Sequence, residues 1–158
     1  MNLQILVLVA VIALILILLL SIGLISGRFV HHVHHTELDG MEGHDFEYFC
    51  ADLLRHRGFQ EVEVTKGSGD YGIDILAEKD GVTYGIQCKR YQDPVGVKAI
   101  QEAFAGKEYY DKMVGAVMTN QYFTTPAVEA SKKLKILLWD RGYIDRMIEE
   151  TKEGYRWN

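Results

Sequence analysis

Asp74, Gln87 and Lys89 are the residues whose types and spacing could perform chemistry. They lie in the stretch GSGDYGIDILAEKDGVTYGIQCK, in which Asp80-Gly81 separates two runs of alternating apolar residues. An Asp-Gly pair in this position predicts a β-hairpin with a two-residue turn. In that register Asp74 faces Gln87, and Lys89 projects to the same face because side chains alternate along a strand. The hairpin therefore brings a carboxylate, an amide and an ammonium group together.

This combination is suited to the hydrolysis of a phosphodiester. Mg²⁺ binds through a few oxygen ligands and keeps several waters, so one or two carboxylates suffice. Asp74 fits a metal ligand, Gln87 offers a neutral oxygen, and the main-chain carbonyl of Cys88 is a further candidate ligand. Lys89 fits the group that orients or deprotonates water and offsets negative charge. The residues alone leave an alternative open, in which Asp74 and Lys89 form an exposed salt bridge that contributes little.

The elements that position these residues follow from hydrophobic periodicity and turn signals. Helices are predicted at about 45–57, at about 97–110 and at 143–150. A further helix is predicted with Thr125 as its cap and Pro126 at its first position. Strands are predicted at 61–65, 113–119 and 136–139, in addition to the two strands of the hairpin. The hairpin comes early and the later strands alternate with helices, so the sequence predicts an α/β domain with a mixed sheet flanked by helices.

The amino-terminal segment has a different composition. Residues 3–25 carry no charge, and the run is long enough to cross a hydrocarbon core of about 30 Å. We expect a transmembrane helix at 1–27, a linker at 28–42, a catalytic domain at 43–150 and a tail at 151–158. The alternatives are a cleaved signal peptide, for which the apolar run is too long, and a buried core helix.

Charge gives the expected orientation of this segment. Arg28 is the only Lys or Arg before Glu37 and lies on the carboxyl side of the apolar run. The positive-inside tendency then predicts a single-pass membrane protein with its carboxyl-terminal domain in the cytoplasm. The adjacent histidines could bind a metal, although a polar spacer at the interface is the simpler interpretation; they are His31, His32, His34 and His35.

The remainder of the chain is acidic. It contains all 22 acidic residues and all but one of the 17 basic ones, which argues against non-specific nucleic-acid binding through net charge. Cys50 and Cys88 are the only cysteines, and both are expected to be buried and unpaired, as in a cytoplasmic domain. Glu47 borders the apolar stripe of the first predicted helix, and on pattern alone an ordinary rim carboxylate is the simpler interpretation.

The ordered series of motifs resembles the restriction endonuclease-like, or PD-(D/E)xK, superfamily, and more narrowly the Mrr catalytic domain. The resemblance spans about 43–148. The residues that carry it are Phe46-Glu47, Leu53-Leu54, Gly58-Phe59, Gly69-Asp70-Tyr71-Gly72-Ile73-Asp74, Gln87-Cys88-Lys89, Val117-Met118-Thr119-Asn120, Phe123-Thr124, Ala127, Ala130 and Ile136-Leu137-Leu138.

The resemblance implies Mg²⁺-dependent cleavage of DNA, with Mn²⁺ as a substitute cation. By position, Asp74 is implied to bind the metal, Lys89 is the catalytic lysine, and Gln87 replaces the glutamate that is more common in the wider superfamily. Glu47 matches the helix acid that assists the site. Because Gln87 leaves one carboxylate fewer, Glu47 becomes a second expected metal ligand beside the Cys88 carbonyl.

We therefore expect a membrane-anchored, metal-dependent endodeoxyribonuclease that acts in the restriction of foreign DNA. DNA and the membrane are its expected partners, and a homodimer is expected where both strands are cut. Two alternatives stay open: a catalytically inactive nuclease-fold module that binds DNA or RNA, and a membrane scaffold that docks a protein partner.

Overall fold

The computed structural model describes residues 12, 14, 35–66, 69 and 71–154. The chain divides into two units, Met1–Val33 and His34–Asn158. The predicted span at 1–27 lies outside the described residues apart from Ile12 and Leu14, which are helical. Within the described residues, no helix is both long and apolar enough to cross a membrane.

The second unit contains five helices and five strands among its described residues. The helices are α1 (His35–Gly40), α2 (Gly43–His56), α3 (Val97–Tyr109), α4 (Thr125–Leu134) and α5 (Arg141–Gly154). The strands are β1 (Gln60–Val64), β2 (Ile75–Lys79), β3 (Val82–Lys89), β4 (Val114–Thr119) and β5 (Ile136–Trp139).

The five strands form one mixed sheet in the order β1-β2-β3-β4-β5. The first three strands are antiparallel, whereas β4 and β5 run parallel to β3 and to each other. This arrangement confirms the α/β fold with a mixed sheet that was predicted from the sequence. The parallel half requires crossover connections, which α3 and α4 supply.

The hairpin register predicted from the sequence is confirmed. Lys79 pairs with Val82 and Ile75 pairs with Ile86. Asp80 and Gly81 form the turn with φ angles of 53° and 77°. Positive φ at both turn positions matches the right-handed twist of the strands, and Asp-Gly tolerates this conformation.

The helices cover both faces of the sheet. Helices α3 and α4 pack together over β3 to β5, around a core that includes Ile100, Ala103 and Val117. Helix α2 packs on β1 and β3 and contacts α5. Burial of these apolar side chains is the main stabilising contribution to the fold.

Three boundaries differ from the sequence prediction. The predicted linker contains α1, whose Leu38 is buried, so the globular unit begins before residue 43. Helix α5 extends to Gly154, into the segment that was expected to be a tail. The amino-terminal cap of α4 is Thr124 rather than Thr125, because the Thr124 hydroxyl accepts a hydrogen bond from the Ala127 amide at 3.4 Å.

Candidate active site

Asp74 lies immediately before β2 and is held by main-chain hydrogen bonds on both sides. Its amide donates to the Ile86 carbonyl at 2.9 Å, and its carbonyl accepts from the Thr65 amide at 2.9 Å. These bonds connect Asp74 to β3 on one side and to the end of β1 on the other. The position of its carboxylate is therefore fixed by the sheet.

The Asp74 carboxylate contacts Gln87, as the hairpin register predicted, and the main chain of Cys88. Its Oδ2 atom accepts hydrogen bonds from Gln87 Nε2 and, at 2.6 Å, from the main-chain amide of Cys88. Asp74 and Gln87 are only 7% and 4% exposed. Burial of a carboxylate is costly unless donors compensate it, and these two bonds supply that compensation.

Gln87 leaves one oxygen without compensation. Its Oε1 is buried and has no hydrogen-bond partner among the described residues, while its Nε2 also lies 3.4 Å from the Cys88 carbonyl oxygen. Among the described residues, the other buried side-chain atom in this condition is Arg90 Nε. Arg90 donates from Nη2 to the Asp39 carbonyl at 2.8 Å, whereas the Gln87 side chain contacts Asp74. A bound ion is one explanation for a buried polar atom without a partner, and it applies to the Gln87 oxygen.

Lys89 forms its ion pair with a residue that the sequence did not indicate. Its Nζ lies 2.8 Å from Glu102 Oε2 on α3, and the two side chains are 17% and 31% exposed. Burial disfavours the charged form of Lys89, but the hydrogen bond and charge of Glu102 outweigh it and raise the pKa of Lys89 above its ordinary value of 10.5. The charge of Asp74 contributes in the same direction, so Lys89 is a cation at neutral pH.

Glu47 lies on α2, on the other side of β3 from α3. Its Oε2 is 3.1 Å from His44 Nδ1, one helical turn earlier. Its charge interacts with the Cys88 thiol, with which the charge of Asp74 also interacts. Its hydrogen bond is with His44, so a metal-ligand role for Glu47 stays a prediction from the resemblance.

The Cys88 side chain points away from Gln87 and Lys89, as strand alternation predicted. Its hydrogen bond with Cys50, together with burial, raises the pKa of the Cys88 thiol well above its ordinary value of 9.0. Both cysteines are buried and free. Only the main-chain carbonyl of Cys88 is therefore a candidate ligand.

The donor set for a metal is small. No cluster of three or more His, Cys, Asp or Glu side chains suited to a metal occurs in the part of the chain that the structure describes. The candidate ligands at the end of the hairpin are the carboxylate of Asp74 and neutral oxygens from Gln87 and Cys88. The four histidines for which a polar spacer was the simpler interpretation lie outside the residues whose side chains are described.

A second polar cluster lies at the end of β4, and we call it the Asp39 cluster: Asp39, Tyr91, Asn120 and Arg141. Asn120 Nδ2 donates to Asp39 Oδ1 and to the Tyr91 carbonyl, both at 2.9 Å, and its Oδ1 accepts from the Tyr91 amide at 2.9 Å. Arg141 Nη1 lies 3.0 Å from both carboxylate oxygens of Asp39. This cluster fastens α1 to the carboxyl-terminal ends of the central strands.

The family profile Mrr_cat, described as a restriction endonuclease, matches residues 38–148. The chain belongs to this restriction endonuclease family. The match begins at Leu38, which agrees with the inclusion of α1 in the globular unit. It confirms the resemblance that was drawn from the motifs in the sequence.

Three solved structures resemble this member of the Mrr_cat family. A protein of unknown function, AF1548, has 25% identity and a TM-score of 0.57 over 67% of this chain and 65% of its own. The DNA modification-dependent restriction endonuclease AspBHI has 17% identity and a TM-score of 0.52 over 70% of this chain and 31% of its own. The MspJI restriction endonuclease in complex with a 27-mer oligonucleotide has 19% identity and a TM-score of 0.56 over 72% of this chain and 29% of its own.

The likeness to AspBHI and MspJI, at 17% and 19% identity, establishes the fold alone. The chain spans less than a third of either enzyme. No curated protein matches the chain. This Mrr_cat member therefore carries a restriction endonuclease-like nuclease domain.

Proposed function

We propose that the chain is a metal-dependent endonuclease that hydrolyses DNA phosphodiester bonds. The observation that carries the proposal is the buried Gln87 Oε1, which has no partner among the described residues and lies on the same side chain that contacts Asp74. A buried oxygen without a donor costs about 1–3 kcal/mol. A divalent cation coordinated by Oε1 would compensate this oxygen, and the match to the restriction endonuclease family supports a nuclease function.

The residues present fit a Mg²⁺ ion. Gln87 Nε2 now donates to Asp74 Oδ2 and approaches the Cys88 carbonyl oxygen, so a partial positive charge lies between two candidate ligands. Rotation of the amide would present Oε1 in its place, which gives one carboxylate and two neutral oxygens. Such a set suits Mg²⁺ or Mn²⁺, since these ions retain waters in the remaining positions. Glu47 would add a second negative charge nearby.

The proposed reaction is the attack of a water oxygen on the phosphorus of the DNA backbone. A bound Mg²⁺ would polarise the phosphate and lower the pKa of the attacking water. A new P–O bond forms to the water oxygen, which releases a proton to solvent. The P–O ester bond to the departing sugar breaks, and the sugar oxygen takes up a proton from solvent. Lys89 supports this step as an ammonium group that offsets the charge developing on the phosphate, a role that agrees with its raised pKa.

The test uses the full 158-residue chain, purified in detergent. It is incubated with plasmid, linear and methylated DNA in the presence of Mg²⁺, Mn²⁺ or a chelator, beside Asp74→Ala and Lys89→Ala. Metal-dependent cleavage by the parent that is lost in both variants supports the proposal. Activity that survives both substitutions contradicts the assignment of these residues.

One observation favours the alternative of an inactive nucleic-acid-binding module. The hydrogen bonds from Gln87 and the Cys88 amide already compensate the Asp74 carboxylate without a metal. In the same experiment, retarded migration of DNA without cleavage under every metal would support this alternative.

We also propose that residues 1–27 tether the domain to the membrane with its carboxyl terminus in the cytoplasm. The uncharged run at 3–25 and the position of Arg28 support this topology. Tethering would confine the nuclease to a thin layer under the membrane. Such a location suits the restriction of foreign DNA as it enters the cell. A reporter fused after Asn158 should be active in the cytoplasm, and activity only outside the cytoplasm would refute the topology.

Cleavage of both strands would further require a homodimer, which sedimentation of the detergent-purified chain measures.

A further inference from the structure

Glu102 on helix α3 contacts both halves of the candidate site, the end of β3 and the segment that leads into Asp74. Its side chain forms the 2.8 Å ion pair with Lys89 at the end of β3. Its main chain lies against the segment that leads into Asp74. The sequence alone gave Glu102 no role, because its partners come from distant parts of the chain.

The contact with the Asp74 segment is a close main-chain approach. A Cβ atom at Gly72 would lie 2.9 Å from the Glu102 carbonyl oxygen, and Gly72 has a φ angle of 83°. One turn later on α3, a Cβ atom at Gly106 would lie 2.6 Å from the Tyr71 carbonyl oxygen. Glycine is thus required at both Gly72 and Gly106, and α3 packs against the Tyr71–Ile73 segment at van der Waals distance.

The side-chain contact is selective for Lys89. The second cation near Glu102, Lys98, is 88% exposed and lies 3.7 Å from Glu102 Oε1, so that pair contributes little. Lys89 is much less exposed and closer. The stronger interaction therefore connects Glu102 to β3 rather than to its own helix.

We propose that Glu102 is a positioning residue of the nuclease site, whose carboxylate holds the Lys89 ammonium while its main chain supports the segment that carries Asp74. One turn of α3 then sets the separation of the lysine and the carboxylate. This inference rests on the proposed nuclease function, and it extends that function to a residue outside the hairpin. Glu102 acts through Lys89 and does not itself need to contact DNA.

The first test measures Lys89 without reference to cleavage. The full chain is labelled by reductive methylation with formaldehyde and borohydride, and modification at Lys89 is followed by mass spectrometry. Glu102→Gln should accelerate labelling of Lys89 by about threefold, the range of a partly exposed ion pair. Glu108→Gln is the matched control, since Glu108 lies on the same helix, pairs with Lys107 and is 60% exposed. An unchanged Lys89 rate in Glu102→Gln would overturn the proposal.

The second test measures cleavage kinetics and thermal unfolding of the same proteins. Glu102→Gln should lower kcat by about tenfold to a hundredfold, as a small misplacement of a catalytic group does, with KM and melting temperature unchanged. Glu102→Asp, which keeps the charge on a shorter stem, should recover part of the loss, and Glu108→Gln should match the parent. A cleaving parent with an equally active Glu102→Gln variant would overturn the positioning role alone. A parent that cleaves no DNA would instead refute the proposed function, and the Lys89 labelling comparison would still decide whether Glu102 holds the lysine.

Discussion

The candidate active site and the Asp39 cluster are both polar, and both lie where central strands end, yet they satisfy their polar atoms differently. In the Asp39 cluster, the amide of Asn120 has a partner on each of its polar atoms, and Arg141 approaches both oxygens of Asp39. In the candidate site, Gln87 Oε1 is buried without a partner among the described residues.

This difference separates polar groups that stabilise the fold from polar groups retained for chemistry. A buried network with satisfied partners contributes stability and specifies one arrangement. A buried oxygen without a partner lowers stability, and such a site persists where function requires it. We therefore expect substitutions in the candidate active site to reduce activity without reducing stability. Substitutions in the Asp39 cluster should reduce stability without reducing activity.

The largest expected effect is the loss of activity on removal of the Lys89 charge. Lys89→Gln should reduce DNA cleavage by at least about a hundredfold, because it removes the ammonium group that offsets the charge developing on the phosphate. Its melting temperature should stay close to that of the parent, since the pair with Glu102 is partly exposed. Cleavage rates and circular dichroism measure the two quantities. A variant that unfolds at a much lower temperature would show that Lys89 is mainly structural.

The corresponding change in the Asp39 cluster should affect stability instead. Asn120→Ala removes three hydrogen bonds and leaves the Tyr91 amide and carbonyl without their partner. We expect a loss of about 2 kcal/mol in the free energy of unfolding, measured by urea titration. Cleavage below the melting transition should persist. Loss of cleavage in a folded Asn120→Ala protein would remove the distinction between the clusters.

A smaller effect is expected when the neutral residue of the candidate site becomes acidic. Gln87→Glu places a second carboxylate beside Asp74, and the two like charges should destabilise the fold by about 1 kcal/mol when a chelator is present. Mg²⁺ should raise the melting temperature of this variant more than that of the parent, since binding to the folded state stabilises it. The control is Gln101→Glu, an exposed position on α3. Equal metal-induced shifts in Gln87→Glu and Gln101→Glu would argue against a cation at the site.

The smallest expected effect depends on pH and concerns Asp39. The hydrogen bond from Asn120 lowers the pKa of Asp39 below its ordinary value of 3.8; burial opposes this shift, and Arg141 reinforces it. A carboxylate with a lowered pKa stabilises the folded state above the unfolded pKa, and this contribution is lost as the pH falls through the folded pKa. Asp39→Asn should therefore be less stable than the parent at pH 7. The difference should shrink as the pH falls below 3.8, and a difference that grows in acid would contradict this account.

The hairpin shows how much of the site could be predicted from the sequence. The turn residues Asp80-Gly81 specify a two-residue loop, and strand alternation then determines which side chains share a face. For this reason the proximity of Asp74 to Gln87 followed from local rules. The mixed sheet followed similarly from the order of the elements.

Contacts between distant segments could not be predicted in this way. The pairing of Lys89 with Glu102 depends on how α3 packs across β3, and a single apolar stripe does not determine which polar residue at its border meets a given partner. Asp39 belongs to a segment that was expected to be a linker, and its role depends on Asn120 and Arg141, far along the chain. Helix packing and long-range ion pairs therefore needed the structure.

Binding of Mn²⁺ to the full chain tests the central claim most directly. It measures whether the candidate active site, with its unpartnered Gln87 oxygen, holds a cation and the Asp39 cluster does not. Electron paramagnetic resonance of free Mn²⁺ measures the affinity of the parent, Asp74→Asn and Asp39→Asn. The account predicts that the parent and Asp39→Asn bind Mn²⁺ alike and that Asp74→Asn loses the site. Parental affinity in Asp74→Asn, or loss of binding in Asp39→Asn alone, would contradict it.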